Sequence, residues 1–239
     1  MSSRRYRKLF RINLGLTRYN AAWEFQKKLV NRRFQGRIPD CLIFTEHEPV
    51  ITMGRGTVED NLLVAPDILV EKGIDLFEVE RGGDITFHGP GQTVVYPIIN
   101  LQNRGCDVHQ YLRDLEKFII ETLRQIGLEA GTKEGLTGIW VGDYKIGAIG
   151  VAVSRWITYH GLALNVSTDL DYFSLINPCG ITDYPVGTIS DLLDEDIEMA
   201  DLNNLLAENF ADMFGYEMEV FGDLEHLLGE KPRKKLAGL

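Results

Sequence analysis

Apolar and polar residues alternate with a period of two across residues 6–14, where Phe10, Ile12 and Leu14 interleave with Arg11 and Asn13. That alternation predicts a half-buried strand. Thr17 is placed to cap a following helix, in which Ala22, Phe25, Leu29 and Phe34 fall near helical spacing up to Gly36. Two short apolar strands are predicted at 41–45 and 50–53, and Pro66 opens a short helix that ends at Gly73. Residues 108–126 carry Tyr111, Leu112, Leu115, Phe118, Ile119, Leu123 and Ile126 on one stripe, so they read as an amphipathic helix stopped by Gly127. The period then returns to two. Residues 139–141, 145–153 and 158–166, with a Gly142-Asp143 turn, predict a meander. A helix at 201–214 and a strand at 217–221 follow, and the Lys/Arg-rich end from about residue 231 is expected to be loose. Strands and helices intermix without repeat or linker. The expectation is a single mixed α/β domain over residues 1–239, with a mixed sheet flanked by helices.

Residues 81–97 break this regularity. They read Arg-Gly-Gly-Asp-Ile-Thr-Phe-His-Gly-Pro-Gly-Gln-Thr-Val-Val-Tyr-Pro, with four glycines and a proline before β-branched residues take over. Glycine suits backbone that must turn or come close to a ligand. Residues 94–99 read as a buried strand that anchors the loop. A long hairpin connection explains the glycines equally well, but Arg81, Thr86, His88 and Gln92 among them favour a substrate cradle. The stretch lacks the Lys-Ser or Lys-Thr of a phosphate-binding P-loop, and it does not fit dinucleotide spacing.

Composition narrows the classes. In 239 residues, 44% are hydrophobic and 25% charged, as in ordinary globular proteins. No apolar run reaches the roughly 18 residues of a membrane helix. The three cysteines, Cys41, Cys106 and Cys179, are widely spaced. They form no Cys-x-x-Cys pair, which argues for a reducing, cytoplasmic setting and against a disulfide framework or a metal site. The net charge of −10 disfavours nucleic-acid binding. It hides an asymmetry, however: residues 1–37 hold 11 basic residues and one acid, so a +10 segment faces −20 in the remainder. That segment, which ends at Arg37 and has Arg32 and Arg33 in the last turn of the predicted helix, is either a solvated face or a docking site for an acidic partner.

Cys179 lies in Asn177-Pro178-Cys179-Gly180, a sharp turn with little bulk around the thiol. A lone cysteine is more often a packing residue, and a thiol with an ordinary pKa needs an activator to act as a nucleophile. Lys145, in an otherwise apolar strand, is the candidate activator; its other reading is a strand end with the ammonium in water. Gly147, Ala148 and Gly150 leave room for a slender ligand beside that strand. His88 and His160 suit either base chemistry or backbone hydrogen bonding. On the residues alone, the chemistry indicated is cysteine-dependent acyl transfer.

Several of these blocks occur together in a known family. Arg81-Gly82-Gly83, Thr86-Phe87-His88-Gly89-Pro90-Gly91-Gln92, Lys145-Ile146-Gly147-Ala148-Ile149-Gly150, His160-Gly161-Leu162-Ala163-Leu164-Asn165 and Asn177-Pro178-Cys179-Gly180 follow one another in the order seen there. In this the chain resembles the lipoyl(octanoyl) transferases, also called lipoate–protein ligase B. Gly147 and Leu162 depart from the alanine and phenylalanine that are commoner there. The resemblance implies the catalytic fold shared by biotin and lipoate protein ligases. It also implies transfer of an octanoyl group from acyl carrier protein to a lysine of lipoyl domains in 2-oxoacid dehydrogenases, or of the glycine-cleavage H protein, with no cofactor or metal. By the same resemblance Cys179 is the acyl-thioester nucleophile and Lys145 its activator. Arg81, Gly82, Gly83, Asp84, Ile85, Thr86, Phe87 and His88, together with Ala148, Ile149, Gly150, Gly161, Leu162 and Ala163, would line the substrate site. The competing readings are an ATP-dependent lipoate or biotin ligase, which would adenylate a free acid, and a non-catalytic lipoyl-binding module.

Overall fold

The period-two segments assemble into one large sheet and one small one. The computed structural model describes residues 6–178 and 184–229. In the large sheet, β1 (Arg7–Thr17) lies between β11 (Tyr216–Val220) and β2 (Asp40–His47) and runs parallel to both. Beyond β2 the sheet is antiparallel, through β6 (Gln92–Ile98), β10 (Ile157–Asn165), β9 (Tyr144–Ser154), β8 (Leu136–Val141) and β7 (Gly131–Lys133). The small sheet has β3 (Val50–Met53) at its centre, parallel to β4 (Asp75–Glu78) and antiparallel to β5 (Ile85–His88).

Strand alternation sorts side chains to two faces. On one face Val95, Leu162, Leu164, Ile149 and Val151 pack against Leu115, Phe118 and Ile119 of α3 (Val108–Gln125) and Leu206 and Phe210 of α5 (Met199–Phe214). The apolar stripe of α3 is the one its sequence predicts, and Asp107 caps it by accepting from the Gln110 N–H. On the other face Ile43, Val94, Tyr96, Ile98 and Ala163 meet Ala22, Leu29 and Val30 of α1 (Tyr19–Phe34). The small sheet brings its own cluster, with Ile51, Ile85 and Phe87 packed against Phe173 and Leu175. Short helices α2 (Pro66–Glu71), α4 (Ile189–Leu193) and α6 (Leu224–Leu228) complete the described elements, with three 3-10 turns. No described helix is long and apolar enough to cross a membrane.

The mixed α/β architecture is the expected one, and three local expectations change. Thr17 closes β1 instead of capping α1; its hydroxyl hydrogen-bonds that of Thr45, and Arg18 occupies the cap position with no side-chain cap. The glycine-rich stretch crosses from the small sheet to the large one, with β5 in the former and β6 in the latter, so part of the presumed loop is strand. The basic N-terminal segment is largely committed within the fold. Arg33 pairs with the buried Asp40 at 2.5 Å, Arg32 donates to the Leu228 carbonyl at 3.1 Å, and Lys8 and Arg18 meet Glu219 and Glu48. Asp40 also accepts from the Asn100 N–H and the Tyr216 hydroxyl, at 3.0 and 2.7 Å. Arg32 and Arg33 therefore hold the framework, and a docking role centred on them is set aside. The expected loose end from residue 231 lies outside the described residues.

Candidate active site

The site is built on three neighbouring strands. On the face toward α1 and the small sheet, β6 contributes Gln92, Val94 and Tyr96, and β10 contributes Asn165, Ala163 and Gly161. From β9 come Ala148 and Gly150, with Ala163 opposite Ala148 and Gly161 opposite Gly150. Small residues in the outer two strands leave a groove, roofed by Thr86 and His88 of β5, by Tyr19 of α1 and by the loop from Arg81 to Gly83. This part has about 450 Å³ of empty space, some of it open to solvent. A second space of about 310 Å³ adjoins it and shares Thr86, Ala148 and Ala163 as lining. Lys145, Gln92, Asn165, Val186 and Pro178 line that second part.

Most of the expected residues converge there. Arg81, Gly83, Thr86, His88, Ala148, Ile149, Gly150, Gly161, Leu162 and Ala163 line the larger part of the groove. Gly82, Asp84, Ile85 and Phe87 do not line either part. The Gly82 N–H bonds the Val151 carbonyl at 2.9 Å, Asp84 accepts from Asn61 and from the Ile85 N–H, and Ile85 and Phe87 are core of the small sheet. The glycines also act differently from the expectation of room for a ligand. A Cβ on Gly150 would stand 2.9 Å from the Gly82 carbonyl oxygen, so what it permits is close seating of the Arg81 loop on the sheet.

Lys145 is 5% exposed, and its chain crosses Gly138, where an added Cβ would stand 2.9 Å from Lys145 Cε. Its ammonium lies 5.6 Å from the centre of the Trp140 ring, within cation–π range. Its backbone is bracketed by residues 185–187: the Lys145 N–H donates to Pro185 and the Gly187 N–H donates to Lys145. A buried hydrogen-bond chain fixes this bracket from the groove floor. The Asn165 amide donates to the Gly187 carbonyl at 3.1 Å and accepts from the Gln92 amide at 2.8 Å. Cys179 lies outside the described residues, and Pro178, the residue before it, shares the smaller part of the groove with Lys145.

The roof combines aromatic and histidine rings with the Arg81 guanidinium. Because the Gln92 amide nitrogen donates to Asn165 and Phe87, its oxygen faces His88 Nδ1 at 2.6 Å, which must therefore carry the proton. His47 Nδ1 donates to the Thr17 carbonyl, leaving Nε2 to accept from the Tyr96 hydroxyl at 2.7 Å. Burial is the main cause that lowers His88 to about 3 and His47 to about 4. His160, with Nδ1 3.3 Å from the Tyr19 hydroxyl and Nε2 3.6 Å from Glu80, is lowered to about 4, again chiefly by burial, with the Arg81 charge adding to the effect. All three imidazoles are neutral at pH 7. Arg81 is held by the Thr52 carbonyl at 2.6 Å and the Thr52 hydroxyl at 2.9 Å. Tyr19, His47, Tyr96 and the Asn165 bracket were not singled out from sequence. The available signal was the alternation of Gln92, Val94 and Tyr96 along one strand face.

A glycine-clamped groove thus lies beside a buried lysine on a mixed sheet. Among solved structures, a lipoate protein ligase of Thermoplasma acidophilum with bound lipoic acid, described as putative, has the same fold: TM-score 0.73, 20% identity, and 92% of each chain covered. Residues 18–211 match the lipoyl protein ligase A/B catalytic domain. An octanoyltransferase of Solibacter usitatus is 48% identical over 86% of this chain and 92% of its own. One of Thermosynechococcus vestitus is 44% identical over 85% and 89%. The chain thus belongs to the octanoyltransferase family of lipoyl protein ligase A/B domains, and it is an acyltransferase.

Proposed function

We propose that the protein moves an octanoyl group from octanoyl-acyl carrier protein, through a thioester on Cys179, to a lysine of lipoyl domains, in a cytoplasmic step of lipoate synthesis. The acceptors are the lipoyl domains of 2-oxoacid dehydrogenases and the glycine-cleavage H protein, and the catalytic unit is one domain that needs no metal or nucleotide. The observation that carries the reading is that Lys145 and Pro178, the residue before Cys179, line one space that adjoins a larger one floored by Val94, Ala148 and Ala163.

The charges then follow simply. The Lys145 ammonium favours the Cys179 thiolate by opposite charge. The thiolate attacks the octanoyl carbonyl, the carrier thiol leaves, and Lys145 gives it a proton. The incoming lysine arrives as the neutral amine, and the resulting neutral amine of Lys145 takes its one displaced proton as that nitrogen attacks the acyl-enzyme. An amide forms and the Cys179 thiolate is regenerated. Intact-mass analysis after mixing with octanoyl-acyl carrier protein tests this. The expected result is one added octanoyl group, mapped to Cys179 and discharged by a lipoyl domain without ATP. An acyl group on Cys41 or Cys106, or a requirement for ATP and free acid, would refute it.

A further inference from the structure

We propose that Tyr96 is the stop that sets the length of acyl chain the groove accepts, an inference that rests on the octanoyl-transfer reading. Beyond Ala163 and Ala148, the next positions on this face are Gly161 and Gly150; at that end Tyr96 rises from the floor near His160, and the Arg81 loop is seated over Gly150. Its ring is 3% exposed and is pinned from behind by the bond from its hydroxyl to His47 Nε2. Tyr19, 2% exposed, closes the same end from the roof.

Dimensions single out eight carbons. From Gln92 to Tyr96 is four strand steps, about 13 Å at 3.3 Å each. With the reacting carbonyl at the Gln92–Asn165 end, beside Lys145 and Pro178, one van der Waals contact of about 4 Å against the Tyr96 ring leaves about 9 Å. The seven C–C bonds of an octanoyl group advance roughly 1.25 Å each in a zigzag and span about 9 Å. Ten carbons would need about 11 Å and would overlap the ring. Around this end the Tyr19 hydroxyl lies 3.3 Å from His160 Nδ1, His47 bonds the Thr17 carbonyl and the Tyr96 hydroxyl, and His88 bonds Gln92.

The test is acylation of the full-length enzyme by N-acetylcysteamine thioesters of six, eight, ten and twelve carbons, followed by intact mass. The native enzyme should prefer eight carbons. Tyr96→Leu should raise the rate ratio of twelve to eight carbons by about tenfold or more, in line with what a methylene or two is worth in an apolar pocket. Tyr96→Phe, which keeps the ring, should leave the profile in place. Ala148→Val narrows the groove nearer Lys145 and should move the optimum to six carbons. A folded Tyr96→Leu protein with the native profile overturns the proposal. If that variant fails to fold, an unmoved optimum in Ala148→Val overturns it and a shift to six carbons supports it. Native enzyme that no thioester acylates defeats the transfer reading and this inference together; acylation with an unmoved profile defeats only the stop.

Discussion

The two faces of strands β9 and β10 differ as sharply as any two regions of the molecule. Ile149, Val151, Leu162 and Leu164 point to one side and fill the space beneath α3 and α5. Ala148, Gly150, Gly161 and Ala163 sit on the other and leave the groove. One residue separates each large side chain from a small one, and strand geometry turns that into a thick core on one face and a substrate channel on the other. The first face earns stability and the second uses some of it, since buried histidines and an arginine line its roof. The rigid core fixes the groove floor, which is how residues far from one another in sequence can be held for catalysis.

The largest effect expected from breaking this division of labour is chemical. Lys145→Ala or Cys179→Ala should lower octanoyl transfer by about 10³-fold or more, as removal of an acid–base group or nucleophile does. Lys145→Arg should retain acylation better than transfer, because a guanidinium does not give up its proton. Near-native turnover in either alanine variant would refute the assignment.

On the core face the readouts should trade places. Leu164 is fully buried against the helices, so Leu164→Ala should cost about 2–5 kcal/mol in urea unfolding. The variant protein that remains folded should keep its kcat. A larger loss of kcat than of stability would mean that the two faces are not separable.

This asymmetry also explains what the sequence made legible. The apolar stripe of α3 and the alternation in the meander give the elements away, because burial on a regular element leaves a periodic trace. The groove left a weaker one: alanines and glycines on alternate positions, whose meaning depends on which strand lies beside them. Lys145 was visible as a charge in an apolar strand, yet its bracket by residues 185–187 was not. Asn165 and Gly187 are 22 residues apart, and Gln92 is 73 residues from Asn165, so only the fold joins them. Arg32 and Arg33 misled for the same reason. Leu228 comes from α6, 196 residues from Arg32, and Asp40, though only seven residues from Arg33, reads in sequence as an ordinary exposed acid until the fold buries it.

The arginines sharpen the comparison at an intermediate scale. Arg33→Glu would put a carboxylate beside the buried Asp40, which is 2% exposed. A loss of at least about 2 kcal/mol is expected, since a buried charge that loses its partner is costly. The KM for acyl carrier protein and for a small octanoyl thioester should then change alike in the protein that stays folded. A rise confined to the carrier protein would restore a docking role to this segment.

The smallest effect is a pH dependence localised to the groove side. His47 has its folded pKa lowered to about 4, mainly by burial, against about 6.5 in an unfolded chain. Between those values the unfolded state binds more protons, so stability rises with pH. The contribution of His47 is fully present above about pH 6.5 and is lost as pH falls toward 4, at up to about 1.4 kcal/mol per pH unit. His88 and His160 share the direction, and carboxylates add their own loss at lower pH, so the total curve does not isolate one residue. The difference between native protein and His47→Gln does. Urea midpoints measured from pH 7 to 4.5 should show the variant losing less stability on acidification. Parallel curves would mean that His47 is not held neutral.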